Sequence, residues 1–286
     1  MINRLCIIGV GLIGGSLALA LRRANHVKEI VGTSRRRDHL QTAVDLDVID
    51  RFDLDACQAV GGADVVVLAV PLGAIQTLCE HIKPAVRTRT VLTDVGSSKA
   101  SVIQAVEYAF GVLPAGFVPG HPIAGTEKSG VEAAHAELFQ DRRVILTPVE
   151  TTSEKALKTV HAMWAATGAI VEETSVEHHD QVLAATSHLP HMLAFGLVDS
   201  LARMSDHDEI FRFAAGGFRD FTRIASSDPT MWADICIANR VPLLTMITRY
   251  QDDLTIIRDA IERSDGEALL EIFTRAKQAR DRFIIG

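Results

Sequence analysis

Three stretches of the 286-residue chain set acid–base and anion-binding side chains close together. The first is Thr93-Asp94-Val95-Gly96-Ser97-Ser98-Lys99, at the end of an expected strand and the start of an expected helix. Ser97 or Ser98 is either an ordinary helix N-cap or a hydroxyl aimed at a ligand beyond the strand end. The second runs from Gly120 through His121 to Gly130. His121 follows another expected strand, in a glycine-rich loop expected to leave it accessible, and imidazole titrates near neutrality. The third spans Ser187-His188-Leu189-Pro190-His191 and Gly216-Gly217-Phe218-Arg219-Asp220-Phe221-Thr222-Arg223. His188 and His191 stand three apart on one helical face, with no acidic or cysteine ligand at a suitable spacing, so no metal is expected. Arg219 and Arg223, four apart, read either as a receptor for a dicarboxylate or as interface ion pairs, the latter favoured by Asp220.

The elements that would position these groups begin at Gly9-Val10-Gly11-Leu12-Ile13-Gly14-Gly15-Ser16. This run follows an apolar stretch at 5–8 and opens a helical pattern, which is the context of a dinucleotide fingerprint. One glycine permits the tight turn, one lets backbone approach a pyrophosphate, and one lets helix and strand pack closely. The helix N-terminus then offers free N–H groups and a positive dipole end to the phosphates. At the end of the second strand an NAD enzyme usually carries Asp or Glu. Here that position is Ser34, followed by Arg35, Arg36 and Arg37. A hydroxyl and guanidiniums suit a 2′-phosphate, so NADP is the expected preference, with NAD also possible. The alternative is a solvated basic helix start. The expected cofactor contacts are Gly9, Gly11, Leu12, Ile13, Gly14, Ser34, Arg35, Arg36, Val70 and Pro71.

Strand patterns at 5–8, 29–33, 64–69, 90–94, 117–119 and 144–147 alternate with helical patterns at 14–23, 37–46, 72–82 and 99–108. Apolar strands such as Val65-Val66-Val67-Leu68 imply a sheet buried on both faces. The alternation predicts an α/β fold, a Rossmann-type doubly wound parallel sheet. A helix at 154–167 and a strand at 169–171 are expected to close this domain, giving a dinucleotide-binding domain at 1–172. An all-α domain is expected over 173–286, with long helices at 176–203, 231–257 and 266–283. Pro190 should kink or break the first of these.

The formal net charge of −7 argues against a nucleic-acid partner. No apolar run reaches membrane-spanning length, and the chain enters a strand with no room for a signal peptide. Cys6, Cys57, Cys79 and Cys236 are scattered without a C-x-x-C pair, so a cytoplasmic protein with reduced thiols is expected.

Taken together, residues 9–16, 94–99, 121–130, 187–191 and 217–234 resemble the prephenate/arogenate (cyclohexadienyl) dehydrogenase family of tyrosine biosynthesis. The resemblance implies oxidative decarboxylation of prephenate, or of its amino analogue arogenate, with hydride transfer to NAD(P). On matching positions it makes His121 the base that draws off the proton of the ring 4-hydroxyl. Ser97 would bond the same hydroxyl or orient His121, and Arg223 would hold the ring carboxylate. His191 and Arg219 would face the pyruvyl side chain, with Glu127 and His188 nearby. A homodimer formed through the helical domain is implied by analogy. Ser34-Arg35 departs from the acidic residue of NAD enzymes. Two rivals keep a nucleotide-binding fold: a hydroxyacid dehydrogenase or imino-acid reductase, and a sensor without turnover.

Overall fold

The structure is a computed structural model describing residues 1–126 and 128–283. Six strands form one parallel sheet: β1 (Ile2–Ile8), β2 (Val27–Thr33), β3 (Arg51–Phe52), β4 (Val65–Leu68), β5 (Val91–Asp94) and β6 (Phe117–Val118). Their order, β3-β2-β1-β4-β5-β6, is the doubly wound order with its switch point between β1 and β4. Register follows the apolar runs, with Leu5 opposite Val65 and Ile8 opposite Leu68. Alternate residues feed two cores. Leu5, Ile7, Val65 and Val67 enter one, and Cys6, Ile8, Val66 and Leu68 enter the other. Each fully buried aliphatic side chain contributes about 1.5–3 kcal/mol, which is why these strands carry no polar face.

The helices of this region are α1 (Leu12–Arg23), α2 (Arg37–Asp45), α3 (Ala56–Val60), α4 (Ile75–Ile82), α5 (Lys99–Phe110) and α6 (Glu154–Ala165). A second sheet was not anticipated. It joins β7 (Gly120–Pro122), β8 (Arg143–Leu146) and β9 (Ile170–Glu173), with β7 antiparallel to β8. The expected strand at 117–119 therefore ends early, and the chain passes Pro119 into the other sheet. Pro119 has no N–H to donate to a ladder.

The helical part departs from three long helices. The run expected at 176–203 is α7 (Val176–Leu183), a π-helical turn (Ala184–His188) and α8 (Leu189–Ala202). Pro190 sits in the first turn of α8, and the wide turn just before it accommodates the missing N–H. Two short helices follow, α9 (His207–Arg212) and α10 (Gly216–Thr222). The run expected from 231 to 257 is α11 (Pro229–Ala238) and α12 (Arg240–Glu262), interrupted at Asn239. The last helix is α13 (Gly266–Phe283).

By contacts the chain forms two compact units, Met1–Arg240 and Val241–Gly286. The first holds both sheets together with α7 to α11, so the expected division at 172 falls inside it. The second consists of the rest of α12 and of α13.

Candidate active site

Each glycine of the opening turn meets a different demand. Gly9 has φ +100, and a Cβ there would lie 2.1 Å from the Ala69 carbonyl oxygen. A Cβ on Gly14 would lie 2.3 Å from the Gly9 carbonyl oxygen, so α1 and β1 approach too closely for any side chain. A Cβ on Gly11 would meet nothing within 4 Å. Gly11 is the N-cap of α1 without a side-chain cap, so the amides of the first turn, at Leu12 and Ile13, face an open cradle. These residues fit a pyrophosphate. Val70 lines the same turn, its Cγ1 3.2 Å from the position of a Gly9 Cβ, and Pro71 leads from β4 into the following 3₁₀ turn.

At the end of β2, the Arg36 amide donates to Ser34 Oγ at 3.3 Å and the Arg36 guanidinium pairs with Asp38. Arg37 stacks over Phe52, 5.5 Å from the ring centroid. Arg35 is exposed and has no hydrogen bond or ion pair among the described residues. Of the basic run, then, Arg35 is the group left to meet an anion.

The acid–base groups lie deeper. His121 is not in an accessible loop: it is the middle residue of β7, opposite Ile145, and is 9% exposed. Pairing with β8 draws the ring inward, which composition alone did not suggest. Its Nδ1 lies 2.9 Å from His179 Nε2, and His179 Nδ1 lies 2.8 Å from Asp180 Oδ1. Asp180 Oδ1 also accepts from the Lys99 amide at 2.8 Å, and Oδ2 accepts from the Ala100 amide at 3.0 Å and Ser98 Oγ at 3.3 Å. A carboxylate on α7 thus caps α5, in place of the serine cap weighed from the sequence. Ser97, beside it, is half-buried.

The Lys99 ammonium pairs with the Asp94 carboxylate, both fully buried. Lys99 Nζ also donates to the Gly120 carbonyl at 2.7 Å, and Asp94 Oδ1 accepts from the Gly120 amide at 3.1 Å. The pair therefore straps both sides of the residue preceding His121. Burial lowers the pKa of Lys99, and Asp94 opposes that shift.

Burial, then the positive charge tendencies of His179, Lys99 and His188, push His121 well below its usual value, so its imidazole is neutral. Burial also lowers His179, against the hydrogen bond that His179 donates to Asp180. For Asp180 burial acts upward, but bonds from His179 and the Lys99 and Ala100 amides outweigh it and hold the carboxyl below its usual range.

His188 is fully buried, and Asn239 Nδ2 donates to its Nδ1 at 2.9 Å and to the Asp180 carbonyl at 2.8 Å. The ring proton therefore sits on Nε2. Burial drives His188 to about 4. His191 donates from Nδ1 to the Ser187 carbonyl at 2.8 Å, leaving Nε2 an acceptor, and stacks on Trp232 with centroids 3.7 Å apart. Burial lowers its pKa, and the Arg223 charge reaches it and lowers it further. Trp232 also meets His188 edge-on at 6.2 Å.

The structure thus brings His121 and His188 into one buried cluster, with Ser97 half-buried beside it in the chain, and sets His191 near Arg223. Arg219 is exposed on α10, and neither its side chain nor that of Asp220 makes a hydrogen bond or ion pair among the described residues. Glu127 lies outside the described residues. Among them no group of three or more His, Cys, Asp or Glu could hold a metal. Burial pushes the Cys6 and Cys79 thiols up to about 12, which makes them poor nucleophiles at neutral pH. His179, Asp180 and Asn239 were missed from the sequence. The signal for His179 and Asp180 is polar residues at the inward positions of α7, in line with Leu183.

Residues 17–173 match the family described as prephenate dehydrogenase, nucleotide-binding domain, and residues 175–275 match its dimerization domain. The chain belongs to the prephenate dehydrogenase family. It is 38% identical over 281 residues to a cyclohexadienyl dehydrogenase of Zymomonas mobilis, covering 97% of this chain and 95% of that protein. It is 38% identical over 289 residues to a prephenate dehydrogenase of Bacillus subtilis, covering 98% of this chain and 76% of the relative. The crystal structure of prephenate dehydrogenase from A. aeolicus in complex with hydroxyphenyl propionate and NAD+ superposes with a TM-score of 0.91. That match is 37% identical and covers 98% of each chain.

Proposed function

We propose that this protein oxidises prephenate to 4-hydroxyphenylpyruvate and CO₂, passing hydride from ring C4 to a nicotinamide dinucleotide in tyrosine biosynthesis. The observation that carries the reading is His121, a neutral imidazole whose Nδ1 is occupied and whose Nε2 has no partner among the described residues. Prephenate is preferred to arogenate because Arg219, which with His191 faces the side-chain end, offers donors and positive charge to a keto acid. An ammonium there would meet like charge.

The bound nicotinamide supplies the hydride acceptor. His121 Nε2 accepts the 4-hydroxyl hydrogen bond, draws on that proton as hydride leaves C4, and returns it to the phenol oxygen. The ring carboxylate departs as CO₂ and its bonding electrons complete the aromatic ring, so atoms and charge balance without a metal. Ser97 bonds the same hydroxyl or orients His121. Arg223 holds the ring carboxylate, while His191 and Arg219 meet the pyruvyl group and Glu127 and His188 border the pocket. Aromatisation drives the chemistry, so positioning, worth about 7–11 kcal/mol in well-oriented systems, is the main task of the protein.

Residues 1–172 serve as the cofactor domain and 173–286 as the substrate and dimerisation domain. A homodimer through the helical part fits its exposed apolar side chains, among them Ile237, Val241, Leu244 and Phe273. NADP is favoured over NAD, with Ser34 and Arg35 binding the 2′-phosphate. No helix among the described residues is long and apolar enough to cross a membrane, and the four cysteines are free. Both fit a cytoplasmic enzyme, and the net charge of −7 fits a protein without a nucleic-acid partner. The test is initial rate at the reduced-nicotinamide band, with prephenate and arogenate each run with NAD and with NADP. Prephenate with NADP should be the fastest combination. Turnover with NAD alone would overturn the 2′-phosphate assignment. No rate in any combination would favour a sensor.

A further inference from the structure

We infer that His179 and Asp180 form a two-step relay that fixes the tautomer of His121 and stabilises the positive charge His121 acquires during catalysis. The inference rests on the reading of His121 as the base.

Of the three side chains, Asp180 is the one that cannot donate. Asp180 accepts from the Lys99 and Ala100 amides and from Ser98 Oγ, so its carboxylate is ionised at the N-terminus of α5. His179 Nδ1, 2.8 Å away, must then carry its proton and donate to Asp180. A neutral His179 therefore has a bare Nε2, an acceptor. His121 Nδ1, 2.9 Å from that atom, must in turn be the donor. This leaves His121 Nε2 unprotonated, the form a general base needs. The opposite tautomer of His121 would set two lone pairs, or two protons, against each other at 2.9 Å. The geometry thus specifies every ring proton from one buried carboxylate.

The same chain answers charge. When His121 Nε2 takes a proton, Nδ1 keeps its own, and the positive ring faces the lone pair of His179. That nitrogen is made more electron-rich by the bond from His179 Nδ1–H to Asp180. No second proton moves. The other charged or titratable groups around His121 are Lys99, paired with Asp94, and His188; Lys99 opposes the imidazolium. Asp180 is therefore the buried anion left to compensate it. The arrangement is related to the Ser-His-Asp triad, in which the carboxylate orients and stabilises imidazole without taking its proton. His179 and Asp180 are positioning residues here, since neither is placed against the substrate.

The experiment is ¹⁵N NMR of histidine-labelled full-length protein above pH 7, with the His121 and His179 signals assigned by substitution. The relay predicts a protonated Nδ1 and bare Nε2 on His121, and the same on His179. His121 protonated on Nε2 would overturn it, whatever the enzyme turns over. Kinetics with prephenate supply the second readout. His179→Gln keeps an acceptor for His121 Nδ1–H, so KM should stay within about twofold while kcat falls about tenfold, charge stabilisation being lost. Asp180→Asn frees His179 to adopt the other tautomer. The His121 spectrum should then change and kcat should fall about 10²–10⁴-fold, as when a triad carboxylate is neutralised. Unchanged spectra and kcat in both variants would also overturn the relay. A correct wild-type tautomer without prephenate turnover would instead count against the proposed reaction.

Discussion

The glycine turn between β1 and α1 and the histidine–aspartate chain beneath β7 place a reaction's partners by opposite means. The turn works by omission. Gly9 and Gly14 carry no side chain because a Cβ would strike backbone at 2.1 and 2.3 Å, while Gly11 leaves space open for a ligand. The histidine chain works by filling. His121, His179, Asp180, Lys99 and Asp94 are buried polar groups, each held by partners from distant parts of the chain. An open cradle tolerates changes that leave its backbone alone. A filled polar cluster is sensitive to every proton in it, because an unpaired buried group costs about 1–3 kcal/mol.

The largest effect expected from this contrast lies within the turn itself. Gly9→Ala should cost more than about 3 kcal/mol, combining strain at φ +100 with the clash on Ala69. Gly11→Ala should leave the melting temperature unchanged and raise KM for the cofactor about tenfold. Calorimetry and cofactor titration check the pair. Equal losses of stability in both would break the distinction drawn between the two glycines.

In the filled cluster, His188 carries a folded pKa of about 4 against an ordinary 6.5. The unfolded chain binds the proton first, so the contribution of His188 is complete above pH 6.5 and is lost as pH falls towards 4. At about 1.4 kcal/mol per pKa unit this is about 3 kcal/mol. Denaturant melts across that window should show the loss, and His188→Asn should flatten it. No comparable slope should arise from the turn, which holds no titratable group.

Arg223→Ala should raise KM for prephenate about 100-fold and lower kcat less than tenfold, because a carboxylate that must leave as CO₂ is better held than clamped. A loss confined to kcat would contradict that role. The smallest effect is expected at the rim of the cradle. Arg35→Ala should lower the kcat/KM ratio of NADP to NAD about tenfold, whereas Arg36→Ala should change it little, since Asp38 already engages that guanidinium.

The same contrast explains what was legible in the sequence. Residues 9–14 announce themselves because local backbone geometry restricts them to glycine, and the apolar strands 5–8 and 65–68 are read from runs of neighbours. The sheet order follows from that alternation. His121 is legible as a candidate residue but its burial is not, because that depends on β8, some twenty residues later. His179 and Asp180 are not legible as site residues because the partners that define them lie 58 to 82 residues away. The break at Asn239 was equally hidden: its side chain serves Asp180 and His188, and only the folded chain brings them to it. Pro190 marked its own break, because its effect on the helix is local.

The most direct test of the account compares His121→Asn with the unaltered enzyme on prephenate, with NAD and NADP titrated into both. The account predicts turnover by the unaltered enzyme, a fall in kcat of about 10²–10⁴-fold in the variant, and unchanged cofactor affinity. A variant as fast as its parent would remove His121 from the chemistry and contradict the account.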